Sequence, residues 1–412
     1  MQSGSGGRCD NGHDQSLSAN YSRLKMRVLF LTKQQYMAKD LLRDRFGRFY
    51  EFPCALARSG YKVVGVCLQY WSDRNEVLCT DNCDQVEWSS FSLGRNWPLG
   101  FIKHYRRLER VTAKFQPDII VGASDTLHVV MSAWLAASFV VPHAVDLYDN
   151  FESYRATQVP GMKRLLRRAV RSAGAVSVVS ETLRQKVETE YQPLGIVRTI
   201  PNAIAAEVFY PDDKAAARRR LGLPEAQTLI GTAGSLHRNR GIGTLYRAFE
   251  LLSQHKKDWS LVLAGPIDRR VKLPTGSQIF YLGELPHERV RDLFNALDVG
   301  VICNRDDAFG RYCFPQKLFE MNACRLPVVA ADVGVMRGLL PSSECLLFDP
   351  QSVDSLANAI SIQKENRYLS SVAIPTWGDC GQKLGNLLET AVAVTARSYN
   401  RVEAAHLSSP EL

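Results

Sequence analysis

The sequence predicts an α/β protein built from two doubly wound domains that face a cleft. Three observations predict it. The chain has 412 residues, more than one compact core usually holds. From Met26 onward, short β-rich runs alternate with longer amphipathic stretches, the pattern of a parallel sheet covered on both faces by helices. The alternation breaks once, between Pro201 and Pro224, and then resumes.

In the first half, Arg27 to Thr32, Lys62 to Leu68, Asp118 to Gly122, Val141 to Val145, Ala175 to Val179 and Val197 to Ile200 read as buried strands. Arg48 to Ser59, Leu99 to Phe115, Leu127 to Ala137, Met162 to Ser172 and Glu181 to Tyr191 read as the helices between them. Pro201 to Pro224, with a basic helix from Ala215 to Leu221, reads as an interdomain linker. The second series runs through strands at Thr228 to Ala233, Ser260 to Ala264, Ile279 to Leu282, Val299 to Cys303, Pro327 to Ala331 and Glu344 to Phe348. Its helices cover Gly243 to Gln254, Glu288 to Ala296, the segment around Lys317, and Val353 to Glu365. These boundaries give a disordered extension over 1–25, Rossmann-like domains over 26–203 and 204–375, a last helix over 376–396 and a tail over 397–412.

Composition narrows the function. No apolar run approaches the roughly 20 residues that span a bilayer. The first 25 residues, rich in Ser, Gly and Asn, lack the apolar centre of a secretory signal. Ten scattered cysteines suit a reducing cytosol, and Cys79 with Cys83 forms a lone Cys-x3-Cys without the second pair that zinc needs. A net charge of +9 favours anionic partners. No aromatic-interleaved basic motif points to specific nucleic-acid binding.

Two segments of the second half carry chemistry. Gly231 to Gly241 joins a strand to a helix, where glycines such as Gly234 let backbone approach a ligand and the helix N-terminus favours anions. Arg238 and Arg240 there can grip a diphosphate. With no Gly-x-Gly-x-x-Gly and no Gly-Lys-Ser/Thr, neither dinucleotide nor P-loop binding is expected. In Phe314 to Ala330, Glu320 can accept bonds from paired hydroxyls, and Lys317, three residues earlier on the same helical face, can meet a phosphate. In the first half, Asp146 and Asp149 follow a strand and can bond substrate hydroxyls. Basic faces lie at Lys103, Arg106, Arg107, Arg110 and Lys114, and again at Lys163, Arg164, Arg167, Arg168 and Arg171. Apolar Leu165, Leu166, Ala169 and Val170 interleave the second set, as in helices that lie on anionic membranes.

The Phe314 to Ala330 segment resembles the donor-site signature of the family 4 retaining glycosyltransferases of group 1 type, written Glu-x7-Glu followed by Ala-x-Gly-x-Pro-Val-Val. Glu320 falls on the second glutamate and Tyr312 on the first, so half of the carboxylate pair is missing. Pro315, Lys317 and Glu320 match a Pro-x-Lys-x-x-Glu version of the motif. Gly234 to Gly241 resembles the family's Gly-Arg-Leu…Lys-Gly phosphate loop, with Ser235 at the arginine and Arg240 at the lysine. Val145 to Glu152 resembles its Tyr-Asp-x-His-Glu-Asn loop, with Tyr148 at the histidine, and Gly47 matches a glycine loop that nears donor and acceptor.

The resemblance covers about Met26 to Val394 and implies the GT-B arrangement of two facing Rossmann-like domains. It implies retaining transfer of a sugar from a nucleotide donor, with no cofactor and no bound metal. Arg240, Lys317, Asp146 and Tyr148 would carry the reaction. Glu320, Arg238, Ser235, Gly234, Tyr312 and Gly47 would hold the donor. A glycan or lipid-linked acceptor, a role in cell-surface polysaccharide or glycolipid synthesis, and a cytoplasmic place at the inner membrane face follow as expectations.

Overall fold

The computed structural model describes residues 26–407 apart from 37–38, 71–75, 80–85, 95, 269 and 341–345. The expected extension over 1–25, Cys83 and Cys345 lie outside the described residues.

The first half runs β1 (Arg27–Lys33), a hairpin of β2 (Gln35–Tyr36) and β3 (Lys39–Asp40), α1 (Arg48–Arg58), β4 (Lys62–Gln69), β5 (Glu76–Cys79), β6 (Val86–Ser92) and α2 (Trp97–Phe115). It continues through β7 (Ile119–Ala123), α3 (Thr126–Phe139), β8 (His143–Leu147), α4 (Met162–Ser172), β9 (Ala175–Val178), α5 (Glu181–Lys186) and β10 (Ile196–Thr199). The sheet order is β10-β9-β8-β7-β1-β4-β6-β5, and every pair is parallel except β5 with β6. Strand order therefore reverses between β1 and β7, which opens a crevice at their C-terminal ends.

The second half contains α6 (Lys214–Leu221), β11 (Thr228–Ala233), α7 (Ile242–His255), β12 (Trp259–Ala264), β13 (Ile279–Tyr281), α8 (His287–Ala296), β14 (Val299–Ile302) and α9 (Gln316–Ala323). After it come β15 (Val328–Ala331), α10 (Met336–Leu339), β16 (Leu347–Phe348), α11 (Val353–Asn366) and α12 (Trp377–Leu407). This parallel sheet has the order β13-β12-β11-β14-β15-β16, with its own reversal between β11 and β14.

Four sequence readings change. β5 and β6 were not expected, because four of the seven residues from Val86 to Ser92 are polar and the segment lacks the continuous apolar run of the other strands. Its Trp88 nevertheless enters the core at 1% exposure. The expected linker belongs mostly to the second domain: Ile204, Phe209 and Ala217 join its core, and buried Arg218 bonds Asp298 at 2.7 Å. The apolar residues of α4 do not face a membrane, since Leu166, Ala169 and Val170 are buried against the sheet. The last helix continues to Leu407, past the expected end at 396. Cys380, Leu384, Leu387 and Leu388 of α12 complete the first domain's core beside α1.

One buried ion pair holds the first domain's cleft end together. Arg48, at the start of α1, and Asp146, in β8, both have side chains with no exposure, and Arg48 meets the carboxylate through Nε at 2.8 Å and Nη2 at 2.7 Å. The same guanidinium donates to Ile200 O at 2.8 Å and Asn202 Oδ1 at 3.2 Å, where the chain leaves for the second domain.

Candidate functional site

The two reversals in strand order face each other, and the polar residues gather there. On the second-domain side, Gly234 follows β11 with φ 103, a conformation natural to glycine. A Cβ on Gly234 would lie 2.7 Å from Lys317 Cε and 2.9 Å from its Nζ, so only glycine lets the ammonium of α9 rest on this loop. Ser235 follows, partly exposed. Arg240 lies with its guanidinium 3.8 Å from the centre of the Phe309 ring, partly buried. Arg238 of the same loop is exposed.

Glu320 is 9% exposed, one turn along α9 from Gln316, which bonds it and also donates to Ala203 O at 3.2 Å. Burial pushes its carboxyl up to about 7, against the pull of Gln316 and Lys317. Burial lowers the pKa of Lys317, and the like charge of Arg240 lowers it further, while Cys303 and Glu320 act the other way. Two cations and one carboxyl thus share a poorly solvated corner, an arrangement that a bound polyanion would relieve.

Across the cleft, Lys33 ends β1. Its ammonium lies 5.9, 5.5 and 5.8 Å from the ring centres of Tyr36, Tyr148 and Tyr154, and 3.4 Å from Tyr148 Oη. Burial lowers its pKa against the opposing charges of Asp125 and Asp149. Tyr154 Oη stands 2.6 Å from Tyr148 Oη and 3.0 Å from Asp149 Oδ2. Asp149 is 7% exposed, with its carboxyl raised by burial and held back by Asn150 N–H, Tyr154, Arg240 and Lys33. The charge of Arg240 therefore reaches Asp149 from the other domain. Asn150 Nδ2 also crosses the cleft, to Ala308 O at 3.4 Å.

Several expected roles move. Asp146 does not reach a substrate hydroxyl: it has no exposure, and Arg48 and Ser177 occupy its carboxylate beneath the cleft floor. Tyr312 turns away from Glu320 and packs on the first domain, under Lys186 Nζ at 5.4 Å, with its carbonyl accepting from Ser180 Oγ at 2.9 Å. Asp306 pairs with Arg311, while Asp307 caps the Phe309 and Gly310 amides and its charge reaches Arg240. Gly47, φ 82, caps α1 against the Tyr36 ring, while neighbouring Phe46 meets His287 of α8 at 5.9 Å across the cleft. Sequence reasoning left out Lys33, Tyr154 and Cys313. Their signal was position, since Lys33 ends a strand at the reversal; Cys313, its thiol raised to about 11 by burial, faces Arg240 and Lys317.

The chain matches the glycosyl transferases group 1 family over residues 227–363 and the glycosyl transferase 4-like domain over residues 48–203. Together these matches take in both halves of the cleft. The chain belongs to the group 1 glycosyltransferases.

Among the relatives of this glycosyltransferase is TuaC of Bacillus subtilis strain 168, by name a candidate teichuronic acid biosynthesis glycosyltransferase. It is 28% identical over 60% of this chain and 61% of its own length. The phosphatidylinositol N-acetylglucosaminyltransferase GPI3 subunit of Saccharomyces cerevisiae strain RM11-1a is 28% identical over 48% of this chain and 44% of its own. The matched region thus spans less than two thirds of either relative. The fold is similar to that of sucrose-phosphate synthase from Thermosynechococcus elongatus, with a TM-score of 0.64 and 20% identity over 92% of this chain and 100% of that one. It is also similar to Anabaena Alr3699/HepE solved with UDP, with a TM-score of 0.59 and 17% identity over 92% and 100%. The two facing domains are the GT-B fold.

Proposed function

We propose that this glycosyltransferase moves a sugar from a nucleotide-sugar donor to an acceptor hydroxyl with retention of configuration and without a bound metal. The observation that carries the reading is the meeting of Arg240, Lys317 and Glu320 at the β11–β14 reversal, opposite Lys33, Tyr148 and Asp149 at the β1–β7 reversal. Glu320 accepts bonds from the ribose hydroxyls, while Arg240 and Lys317 take the diphosphate. As the glycosidic bond breaks, its electron pair passes to the diphosphate and positive charge grows on the anomeric carbon. Cations in a dry corner stabilise that leaving group more than they would in water. The leaving phosphate oxygen takes the acceptor proton, so no separate strong base is needed. Tyr148 and Asp149 orient the sugar or acceptor hydroxyls, and Asp146 acts only by holding Arg48 and the cleft floor.

The names of the relatives support an acceptor that is a glycan or is linked to lipid, in cell-surface polysaccharide or glycolipid synthesis. A solved neighbour with UDP supports a uridine nucleotide as the first donor to try. The test is a screen of nucleotide sugars with proton NMR of the product's anomeric signal, with and without a chelator. Retention and indifference to the chelator are expected. Lys317→Met should lower kcat by about 10²- to 10³-fold with donor KM changed less. Nucleotide binding without turnover across all donors would instead make the chain a binding protein, a reading that the position of Tyr312 outside the donor corner favours.

A further inference from the structure

The segment 303–315 joins β14 to α9, and it braces the donor corner from two sides. The ring centre of Phe309 lies 3.8 Å from the guanidinium carbon of Arg240. Phe314 stacks on Phe319 of α9, the helix of Lys317 and Glu320, with ring centres 4.8 Å apart. Turn bonds stiffen the segment between these two rings. Arg311 N–H donates to Asp307 O, and Cys313 N–H donates to Phe309 O, both at 3.0 Å. The place of this segment therefore sets where Arg240 and α9 stand.

Its outer side rests on the first domain. Ala308 O accepts from Asn150 Nδ2 at 3.4 Å, Arg311 O from Thr182 Oγ1 at 2.8 Å, and Tyr312 O from Ser180 Oγ at 2.9 Å. The Ser180 hydroxyl also accepts from Leu183 N–H at 3.3 Å, so the cap that starts α5 is the group that holds Tyr312. The Tyr312 ring completes the contact. Lys186 Nζ lies 5.4 Å from its centre and 6.0 Å from the centre of Tyr191, so one ammonium meets a ring from each domain. Glu190 and Glu152 fix that ammonium at 2.7 and 3.7 Å, and the lysine side chain is 9% exposed. A cation so shielded from water gains more from an aromatic face than one at the surface. Thr182 and Ser180 meet carbonyls that any residue would supply, whereas Lys186 meets a ring that position 312 must supply.

We propose that Tyr312 is a positioning residue, which docks the segment 303–315 on α5 and so holds Arg240 and α9 in the geometry that grips the donor. The motif's first glutamate is thereby exchanged for a ring that contacts the other domain. A nucleotide needs the corner assembled, and its apparent affinity falls with the fraction of molecules in which the corner is assembled. What the corner binds rests on the donor reading, whereas the docking contact does not.

The test compares the full chain with Tyr312→Ala, Tyr312→Phe and Lys186→Met, by calorimetric titration with UDP and by amide hydrogen exchange. Without UDP, amides of 303–315 and α9 should exchange faster in Tyr312→Ala, and saturating UDP should slow them again. The same variant should bind UDP at least about tenfold more weakly. Tyr312→Phe keeps the ring beside Lys186 and should match the wild type in both measurements. Lys186→Met should act like Tyr312→Ala, and the double variant should lose no more than the larger single loss, because both act through one contact. Far-ultraviolet circular dichroism should stay unchanged in all. The proposal fails if exchange in Tyr312→Ala equals that of the wild type, or if exchange quickens while UDP affinity holds. It also fails if Tyr312→Phe loses as much as Tyr312→Ala, since the hydroxyl and not the docked ring would then be at work. A wild type that binds no UDP counts against the donor reading, and the exchange of Tyr312→Ala then decides the docking by itself.

Discussion

Glu320 holds a proton at a pH where most carboxyls have lost theirs, because burial raises its pKa to about 7. Its folded-state pKa lies above the ordinary carboxylate value, so the folded protein binds the extra proton between those limits. The stability this contributes is present at low pH and is lost as pH rises through about 7. A ligand that donates two hydroxyls to the carboxylate draws the pKa back down. Nucleotide binding near neutral pH should therefore release part of a proton, read by calorimetry in buffers of different ionisation enthalpy. Glu320→Gln should abolish that release and weaken nucleotide binding by about 10- to 100-fold. At pH 8 the same variant should be as stable to urea unfolding as the wild type or more so, by up to about 2 kcal/mol. Unchanged affinity together with unchanged proton release would remove Glu320 from the donor corner.

At the scale of elements, the Arg48–Asp146 pair decides whether α1, β8 and the chain exit at Ile200 to Asn202 keep their places. Neither partner is exposed, so removing one leaves an uncompensated charge in the core. Arg48→Met should lower stability by about 3–5 kcal/mol in denaturant unfolding. The paired change Arg48→Met with Asp146→Leu should recover much of that loss. Asp146 looked like a substrate ligand in the sequence because it follows an apolar run beside Asp149. Only the partner, 98 residues away in sequence, shows that its charge is already answered. Tyr312 misleads in the same way: its place in the motif was legible, but its packing on the first domain depends on Lys186 of α5 and on Ser180, which caps that helix. Lys317 and Glu320 were legible because one helical turn sets their relation whatever the surroundings.

For the whole molecule, α12 ties the end of the second domain back to the first. It starts after the second domain and places Leu384, Leu387 and Leu388 in the first domain's core, with Tyr61 Oη donating to Glu389 at 2.6 Å. Burying each leucine contributes about 1.5–3 kcal/mol. A chain ended before Trp377 should lose the cooperative unfolding of the first domain and bind a hydrophobic dye, while the second domain still binds nucleotide. Retention of a single sharp transition, checked by calorimetry, would show that the first domain does not need this helix.

By itself the sequence determined the alternating elements, the two-domain plan, the donor motif around Glu320 and the absence of one motif glutamate. These depend on local periodicity and on spacings within one or two turns. The tertiary structure alone decided which charges are used up in the core, as at Asp146, and which are held half-paired at the cleft, as at Lys33, Arg240 and Lys317. It also decided that the apolar side of α4 packs on the sheet. Burial and pairing are set by residues far apart in sequence, and the charge state of a group follows from them.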